Sequence, residues 1–295
     1  MNILITGGTG FIGSSLCSRL LEKKHQIVVL TRHPETIKKN IQGITDLEQI
    51  EDRAGFDVVI NLAGEPIADN RWSEKQKQRI VDSRLNTTKK LIEYFKTTEN
   101  KPKLFISGSA IGYYGIAESN DSLDEEALGD ESFASHLCQQ WEAVALEAKT
   151  LGIRTCLLRT GIVLGKGGGA LKKMLLPFKL GVGGKIGKGS QWMSWIHKED
   201  LIGVILYCIE HEQLSGAVNG TAPNPVTNTN FTKTLGKVLK RPTFLPMPAV
   251  MVKLLMGQMG EELLLAGKKI LPVKITKEGY IFKHAQLEEA LLSVV

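Results

Sequence analysis

Gly7, Gly10 and Gly13 stand three apart, immediately after the aliphatic run Ile3-Leu4-Ile5 and at the head of a segment that places Ile12, Leu16 and Leu20 four apart. A strand, a glycine turn and a helix in that order suit the binding of a pyrophosphate. Glycine lets the turn tighten and the backbone approach the ligand, while unpaired N–H groups and the positive end of the helix face the anion. Thr9, Phe11 and Ile12 share the turn and belong to the expected contact set. A glycine turn without a ligand is the plainer alternative, and the flanking elements weigh against it. A second signal follows the next aliphatic run, Ile27 to Leu30, where Thr31-Arg32 comes next and no carboxylate occurs before Glu35. A carboxylate there would accept from the ribose 2′-hydroxyl of NAD, whereas a guanidinium forks around a 2′-phosphate, so Arg32 points to NADP(H). The competing use of Arg32 is stacking on adenine or facing water.

The elements that must hold these groups follow from the apolar pattern. Short β-branched or aliphatic runs occur at Ile3 to Ile5, Ile27 to Leu30, Val58 to Leu62, Leu104 to Ile106 and Thr155 to Leu158. Strands that are apolar throughout belong to a sheet covered on both faces. Helical patterns lie between them, the longer ones from about Glu74 to Phe95 and from Ser132 to Thr150. The alternation implies an α/β fold, a Rossmann-type doubly wound parallel sheet. Past Arg159 the character changes. Gly165 to Gly169 and Gly181 to Gly189 are glycine-rich, a helix is expected near Asp200 to Glu210 and a strand through Ala217-Val218-Asn219, and the tail is punctuated by prolines from Pro223 to Pro272. The expected division is an NADP-binding Rossmann domain over 1–165 plus about 196–220, with a smaller C-terminal substrate lobe over 166–195 and 221–295.

Composition narrows the function classes. The 42% hydrophobic content of 295 residues is ample for a large core. The formal charge of +6 and pI near 9.0 invite a nucleic-acid partner. Yet the lysines fall as scattered pairs such as Lys23-Lys24 and Lys172-Lys173 with no aromatic-interleaved basic stripe, so no nucleic-acid partner is expected. Cys17, Cys138, Cys156 and Cys208 lie far apart without metal-type spacing and read as buried thiols in a reducing compartment, and no metal is expected. The chain opens directly on strand residues, and its apolar runs are broken by lysines, as Lys253 breaks Val250 to Met256. A cytoplasmic location and no membrane partner are the expectations.

The segments "ILITGGTGFIG", "INLAG" (Ile60 to Gly64), "SGSAIGYYG" (Ser107 to Gly115), "LRTGIVLG" (Leu158 to Gly165) and "IHKEDL" (Ile196 to Leu201) resemble the extended short-chain dehydrogenase/reductase superfamily, in its order and over the whole length. Within it the chain is most similar to the atypical YfcH-like epimerase group, sometimes labelled cell-division inhibitor. That likeness rests on "LAGEPIADNRWSEKQKQRIVDSR" (Leu62 to Arg84), "GSQWMSWIHKEDL" (Gly189 to Leu201) and "LLLAGKKILPVKITKEGYIFKHAQLEEAL" (Leu263 to Leu291). The resemblance implies that Leu62, Ala63, Gly64, Glu65, Ser107 and Arg159 lie against the cofactor and that Ser109 is the active-site hydroxyl, polarising a substrate carbonyl. A serine that merely satisfies turn backbone is the alternative for Ser109. Typical members carry a Tyr and a Lys four apart on a helix, the Lys lowering the Tyr pKa for proton exchange. Phe133 to Glu142 offers neither, and Arg84 stands where the family usually has an Asn. A phenol from Tyr113 or Tyr114 could replace the missing one, or pack under the cofactor.

Arg84 needs an anionic partner, which could be Glu65, a cofactor phosphate or a substrate carboxylate. His136 reads as solvated or core-bonded, and His197 as structural, its ring satisfying a loop carbonyl, with Asp200 capping or orienting the helix that follows. Trp192 and Trp195, in Gly187 to Trp195, fit pocket lining and packing equally. Two functions follow. One is an oxidoreductase or epimerase of a small polar substrate, with or without an anionic group, using hydride transfer at NADP(H). The other is a non-catalytic NADPH-sensing regulatory protein, motivated by the missing Tyr and Lys. A homodimer through the two long helices is part of what the resemblance implies.

Overall fold

The computed structural model describes residues 1–50, 55–117 and 121–295. In chain order its strands are β1 (Asn2–Thr6), β2 (Gln26–Leu30), β3 (Gln42–Ile44), β4 (Val58–Asn61), β5 (Leu104–Ala110), β6 (Ser122–Leu123) and β7 (Arg154–Thr160). There follow β8 (Ile162–Leu164), β9 (Trp192–Met193), β10 (Trp195–His197), β11 (Gly216–Gly220), β12 (Val226–Thr227) and β13 (Lys269–Ile270). The helices are α1 (Gly13–Glu22), α2 (Glu74–Thr97), α3 (Phe133–Thr150), α4 (Gly169–Lys179), α5 (Lys198–Glu210), α6 (Asn228–Leu239), α7 (Ala249–Met256), a single turn α8 (Gln258–Gly260), α9 (Val273–Lys277) and α10 (Leu287–Val294).

One seven-stranded sheet dominates, in the order β11-β7-β5-β4-β1-β2-β3, with every neighbouring pair parallel. This is the Rossmann-type α/β fold that the alternation of apolar runs and helical patterns implies. The period of two along each strand divides the core between the faces. Ile3 and Ile5 pack with Leu16 and Leu20 of α1 and with α5, while Leu4 and Val59 pack with Leu91 and Phe95 of α2 and with Ala145 of α3. Strand order reverses between β1 and β4, which opens a crevice at their carboxyl ends, the place where such sheets bind ligands.

The helices begin where the sequence provides acceptors. Ser73 caps α2 by accepting from the Gln76 N–H, with Glu74 in the first turn and Lys96 in the last, each charge opposing the local end of the helix dipole. Glycine masks one element: α4 lies in the stretch whose glycines suggest a loop, yet from Ala170 to Leu176 the residues are strong helix formers. β5 also runs four residues beyond the aliphatic run, since Ser107, Gly108, Ser109 and Ala110 keep pairing with Leu157 to Thr160. The four cysteines are buried free thiols. Among the described residues no helix is long and apolar enough to cross a membrane.

A second cluster, including Leu171, Phe178, Trp195, Phe231 and Leu291, joins α4, α6, α10 and β8 to β10. The tail is tied back to the sheet layer by one carboxylate. Asp200, fully buried, accepts from the backbone N–H groups of Lys283 and His284 at 2.8 and 2.9 Å. It therefore holds the tail rather than capping its own helix. Asp200→Ala should lower stability by about 3 kcal/mol, because two backbone N–H donors of the tail lose a buried carboxylate acceptor. Urea unfolding measures this, and a loss under about 1 kcal/mol would mean the tail is held elsewhere.

Candidate active site

The glycine turn is built for close backbone approach. Gly7 has φ +69°, and a Cβ there would lie 2.6 Å from the Leu62 carbonyl oxygen, so the turn after β1 and the end of β4 touch. A Cβ on Gly13 would overlap the Gly7 carbonyl. No side chain caps the amino end of α1 and its first turn holds no acid, leaving N–H groups and a positive dipole end for an anion. Phe11 lies against Gly165, Gly168 and Gly169, with the Lys198 ammonium 4.6 Å from its ring centroid. After β2, Thr31 Oγ1 accepts from the His33 N–H, Glu35 pairs with His33, and Arg32 is exposed with no carboxylate partner among the described residues. These residues fit a phosphorylated dinucleotide.

Beyond β4 a chain of buried hydroxyls and amides sets the spacing of the crevice. Thr6 donates to Asn61, Asn61 to Thr88, and Trp141 Nε1 also to Thr88, all within 2.6–2.9 Å. Thr6 Oγ1 accepts from the Ala63 N–H, and Ser83 Oγ from the Glu65 N–H. Arg84, half-buried on α2, donates through Nη1 to the carbonyls of Glu65 and Ile80 and stacks over Trp141, 5.3 Å from its centroid. A Cβ on Gly64 would stand 3.0 Å from Arg84 Cζ. Burial pulls the Arg84 pKa down, and no carboxylate hydrogen-bonds its guanidinium among the described residues. The Glu65 side chain acts on Arg84 through its charge, which offsets part of that fall, and not through a hydrogen bond.

Ser109 sits in a closed network. Its hydroxyl donates to Glu142 Oε1 at 2.6 Å, and Arg159 clamps the same carboxylate from Nε and Nη2, both at 2.9 Å. Arg159 Nη1 donates to the Tyr114 hydroxyl at 3.0 Å and to the Glu125 carbonyl at 3.1 Å, and Tyr114 donates on to Asn219 at 2.7 Å. Desolvation pushes the Tyr114 phenol up to about 12, partly offset by Arg159. The Tyr114 hydroxyl is thus engaged both as donor and as acceptor. Tyr113 differs: its ring lies on the Arg159 guanidinium, 3.4 Å from centroid to Cζ, and among the described residues its hydroxyl has no hydrogen-bond partner. Ser107 is fully buried, its hydroxyl on the Gly108 carbonyl.

The face of α3 turned to this network carries Ala134 against Gly112, Cys138 beside Ser109 and Glu142 on Ser109. Ala134 and Cys138, four apart, occupy the face where the resemblance calls for Tyr and Lys. Burial holds the Cys138 thiol up at about 11, so it stays protonated. Sequence reasoning passed over Glu142; a lone Glu amid Trp141, Ala143 and Val144 on an apolar stretch was the available sign.

The remaining candidates lie elsewhere. His136 is exposed and pairs with Glu131. His197 caps α5 by accepting from the Glu199 N–H at 3.2 Å, so it satisfies a donor rather than a loop carbonyl. His197, Glu199 and His284 bring ligand-type atoms within 4.8 Å of one another, each already engaged: Glu199 by Lys283 and His284, His197 by the helix end. Trp195 is fully buried, its Nε1 on the Asn224 carbonyl, whereas Trp192 Nε1 has no partner among the described residues.

The sequence matches the NAD dependent epimerase/dehydratase family over residues 3–219 and a domain of unknown function, DUF1731, over residues 247–294. The chain belongs to the NAD dependent epimerase/dehydratase family. It is 39% identical over 300 residues to the epimerase family protein YfhF of Bacillus subtilis, covering 100% of this chain and 98% of that protein. It is 35% identical over 297 residues to the epimerase family protein SDR39U1 of Homo sapiens, covering both chains fully. The crystal structure of human SDR39U1 (isoform 2) with NADPH superposes with a TM-score of 0.89 at 33% identity, covering 100% of this chain and 99% of that one. The names of these relatives carry the epimerase part of the resemblance and not its cell-division label.

His197 yields a pH test. Burial lowers its pKa from 6.5 to about 4, so between those values the unfolded chain binds the proton and the folded chain does not. Stability falls as pH drops from 6.5 toward 4, by up to about 3 kcal/mol from this group. His197→Asn, which keeps a capping acceptor, should flatten the urea-measured profile in that window. An unchanged profile would show that His197 titrates normally.

Proposed function

We propose that this chain is an NADP(H)-dependent oxidoreductase or epimerase of a small polar substrate that carries an anionic group. One observation carries the reading: the polar network around Ser109 closes on itself, while the Arg84 guanidinium and the Tyr113 hydroxyl beside it keep unfilled hydrogen-bonding capacity. In this reading the turn from Gly7 to Gly13, with Thr9, Phe11 and Ile12, takes the pyrophosphate, and Thr31 and Arg32 take the 2′-phosphate end. Leu62 to Glu65 border the nicotinamide half, with Ser107 behind them in β5. The NADPH in the human SDR39U1 structure supports the choice of cofactor. Bound there, NADP(H) supplies hydride exchange. The Rossmann domain would span 1–165 plus about 196–220 and the substrate lobe 166–195 and 221–295, acting in the cytoplasm as a homodimer.

The chain's own residues divide the remaining work. Both Glu142 oxygens accept from Arg159 and one also from Ser109, so the single proton of Ser109 is committed to Glu142. Ser109 therefore accepts from a substrate hydroxyl instead of polarising a carbonyl. Tyr113 exchanges the proton with the substrate oxygen, its ring held by Arg159. Arg159 and Glu142 are positioning residues, and Tyr114 holds Arg159 from the other side. Arg84, a desolvated cation lacking a carboxylate, binds the substrate's anion.

A second reading has its own observation. Ala134 and Cys138 leave α3 without the usual proton carrier, which suits an NADPH-sensing regulator that does not turn over. Titration with NADPH and NADH, followed by nicotinamide fluorescence, comes first: Arg32→Ala should weaken NADPH about 10- to 100-fold and leave NADH unchanged. Turnover of a carbonyl and hydroxy-acid panel, read at the reduced-nicotinamide absorbance band, then separates the readings. Tyr113→Phe should cut kcat at least about 100-fold with NADPH affinity intact. Tight NADPH binding with no turnover of any acid would leave the regulator.

A further inference from the structure

Two stretches of the chain carry no carboxylate at all, residues 148–198 and 213–260, although the intervening and flanking segments are rich in them. The same stretches hold most of the large apolar side chains that face solvent. Phe244 is 72% exposed, Val250 73% and Leu180 69%, with Val182, Leu245 and Leu254 also exposed.

These residues form one surface. The Met247 N–H donates to the Lys185 carbonyl and the Gly187 N–H to the Met247 carbonyl, both at 2.9 Å, which pairs 185–187 with the segment leading into α7. A Cβ on Gly184 would run into the Leu245 carbonyl, and Pro242 lies against Gly181 just past α4. The carboxyl end of α4, the glycine loop after it, the 242–247 segment and α7 are therefore contiguous. α7 buries Val252 and turns Val250, Met251, Leu254 and Leu255 outward, so it is apolar nearly all round. A helix of that kind needs cover on its second face. Lys179, Lys185, Lys240 and Arg241 ring the patch, all exposed and none paired with a carboxylate among the described residues.

We propose that this face is a docking surface for an anionic lipid bilayer, lying on the headgroup layer with Phe244, Val250 and Leu254 inserted and the cations on lipid phosphates. Charge decides among the occupants. Glu261, just past α7, is already paired with Lys253 at 2.8 Å, so a second copy of the chain meeting this face across a two-fold axis would set two patches ringed by unpaired cations against each other, with like charges opposed. A bilayer surface bearing anionic headgroups satisfies both features together, because apolar insertion and cation attraction act on the same plane. That no helix among the described residues is long and apolar enough to cross a membrane is compatible with this, since a surface-docked protein needs none.

The test is co-sedimentation of the full chain, with NADPH present, on sucrose-loaded vesicles of phosphatidylcholine alone or of phosphatidylcholine with phosphatidylglycerol in equal parts. Binding to the mixed vesicles should exceed binding to phosphatidylcholine by at least about tenfold at low salt and fall steeply in 0.5 M salt. Val250→Glu with Leu254→Glu should abolish it. Lys179→Glu with Arg241→Glu, which leaves every apolar residue in place, should reduce it about tenfold. Unchanged melting temperature and NADPH titration confirm that each variant is folded. The proposal is overturned if the wild type ignores the mixed vesicles, or if both variants bind as the wild type does. A dimer in size-exclusion chromatography that Val250→Glu with Leu254→Glu dissociates, without vesicle binding, would instead assign the face to a second copy.

Discussion

A carboxylate and a guanidinium buried together between α3 and β7 govern what the rest of the crevice can do. Glu142 is 5% exposed and Arg159 4%, and ions so far from water persist only when their lone pairs and protons are filled. The fork from Nε and Nη2 fills one side of the carboxylate, Ser109 fills another, and Tyr114 with the Glu125 carbonyl takes the last nitrogen of the guanidinium. Each of those partners loses freedom in return. Tyr114 becomes a donor to Asn219, and Asn219 reaches the Leu271 carbonyl in the tail. One ion pair thus couples α3, β5, β7, β11 and the C-terminal segment, and fixes which polar atoms remain available.

The cofactor end obeys a steric constraint of the same rank. Gly7 must be glycine because β4's exit occupies the space of its side chain, and Gly13 because the turn folds onto itself. Phe11 extends that coupling outward, since its ring fills the place where Gly165, Gly168 and Gly169 would have carried side chains. The second glycine-rich stretch therefore makes room for the first one's aromatic residue. Any motion of the 165–169 loop is a motion against the turn that would hold the pyrophosphate.

How much of this was legible in the sequence depends on whether a signal was local. Strands β1, β2, β4, β5 and β7 announce themselves as short runs that are apolar throughout, because both faces of the sheet are covered, and the long helices α2 and α3 by apolar residues every third to fourth place. The place of Arg32 is local in another way, since it follows directly from where β2 ends. The strands β3, β6, β8, β9, β12 and β13 are two or three residues long and owe their pairing to distant partners, Lys269 with Ser122 for example. No window of sequence holds that information. α4 was hidden by its glycine neighbours, and the polar end of β5 by an apolar criterion that stops at Ile106. At the site, Ser109 stands out through resemblance, but the partner of its hydroxyl, Glu142, lies 33 residues away on another element. Likewise Tyr113 and Tyr114 are adjacent and chemically identical in sequence. Only packing separates the one whose hydroxyl is consumed from the one whose hydroxyl is not.

The replacement on α3 alters the charge of the site rather than merely deleting a group. A lysine on that face would put a mobile ammonium beside the phenol. Here Cys138 is neutral, Arg159 is cancelled by Glu142, and the cation with no hydrogen-bonded carboxylate among the described residues is Arg84, across the crevice on α2. A guanidinium stacked on Trp141 and tied to two carbonyls moves far less than a lysine on a four-carbon stem. It also retains its proton across the range where enzymes work, burial notwithstanding. Positive charge in this crevice is therefore permanent and fixed in direction, which suits holding an anionic group and does not suit shuttling protons. The fixed cation stands on α2, while the phenol whose hydroxyl is unpartnered among the described residues lies on Arg159, after β5.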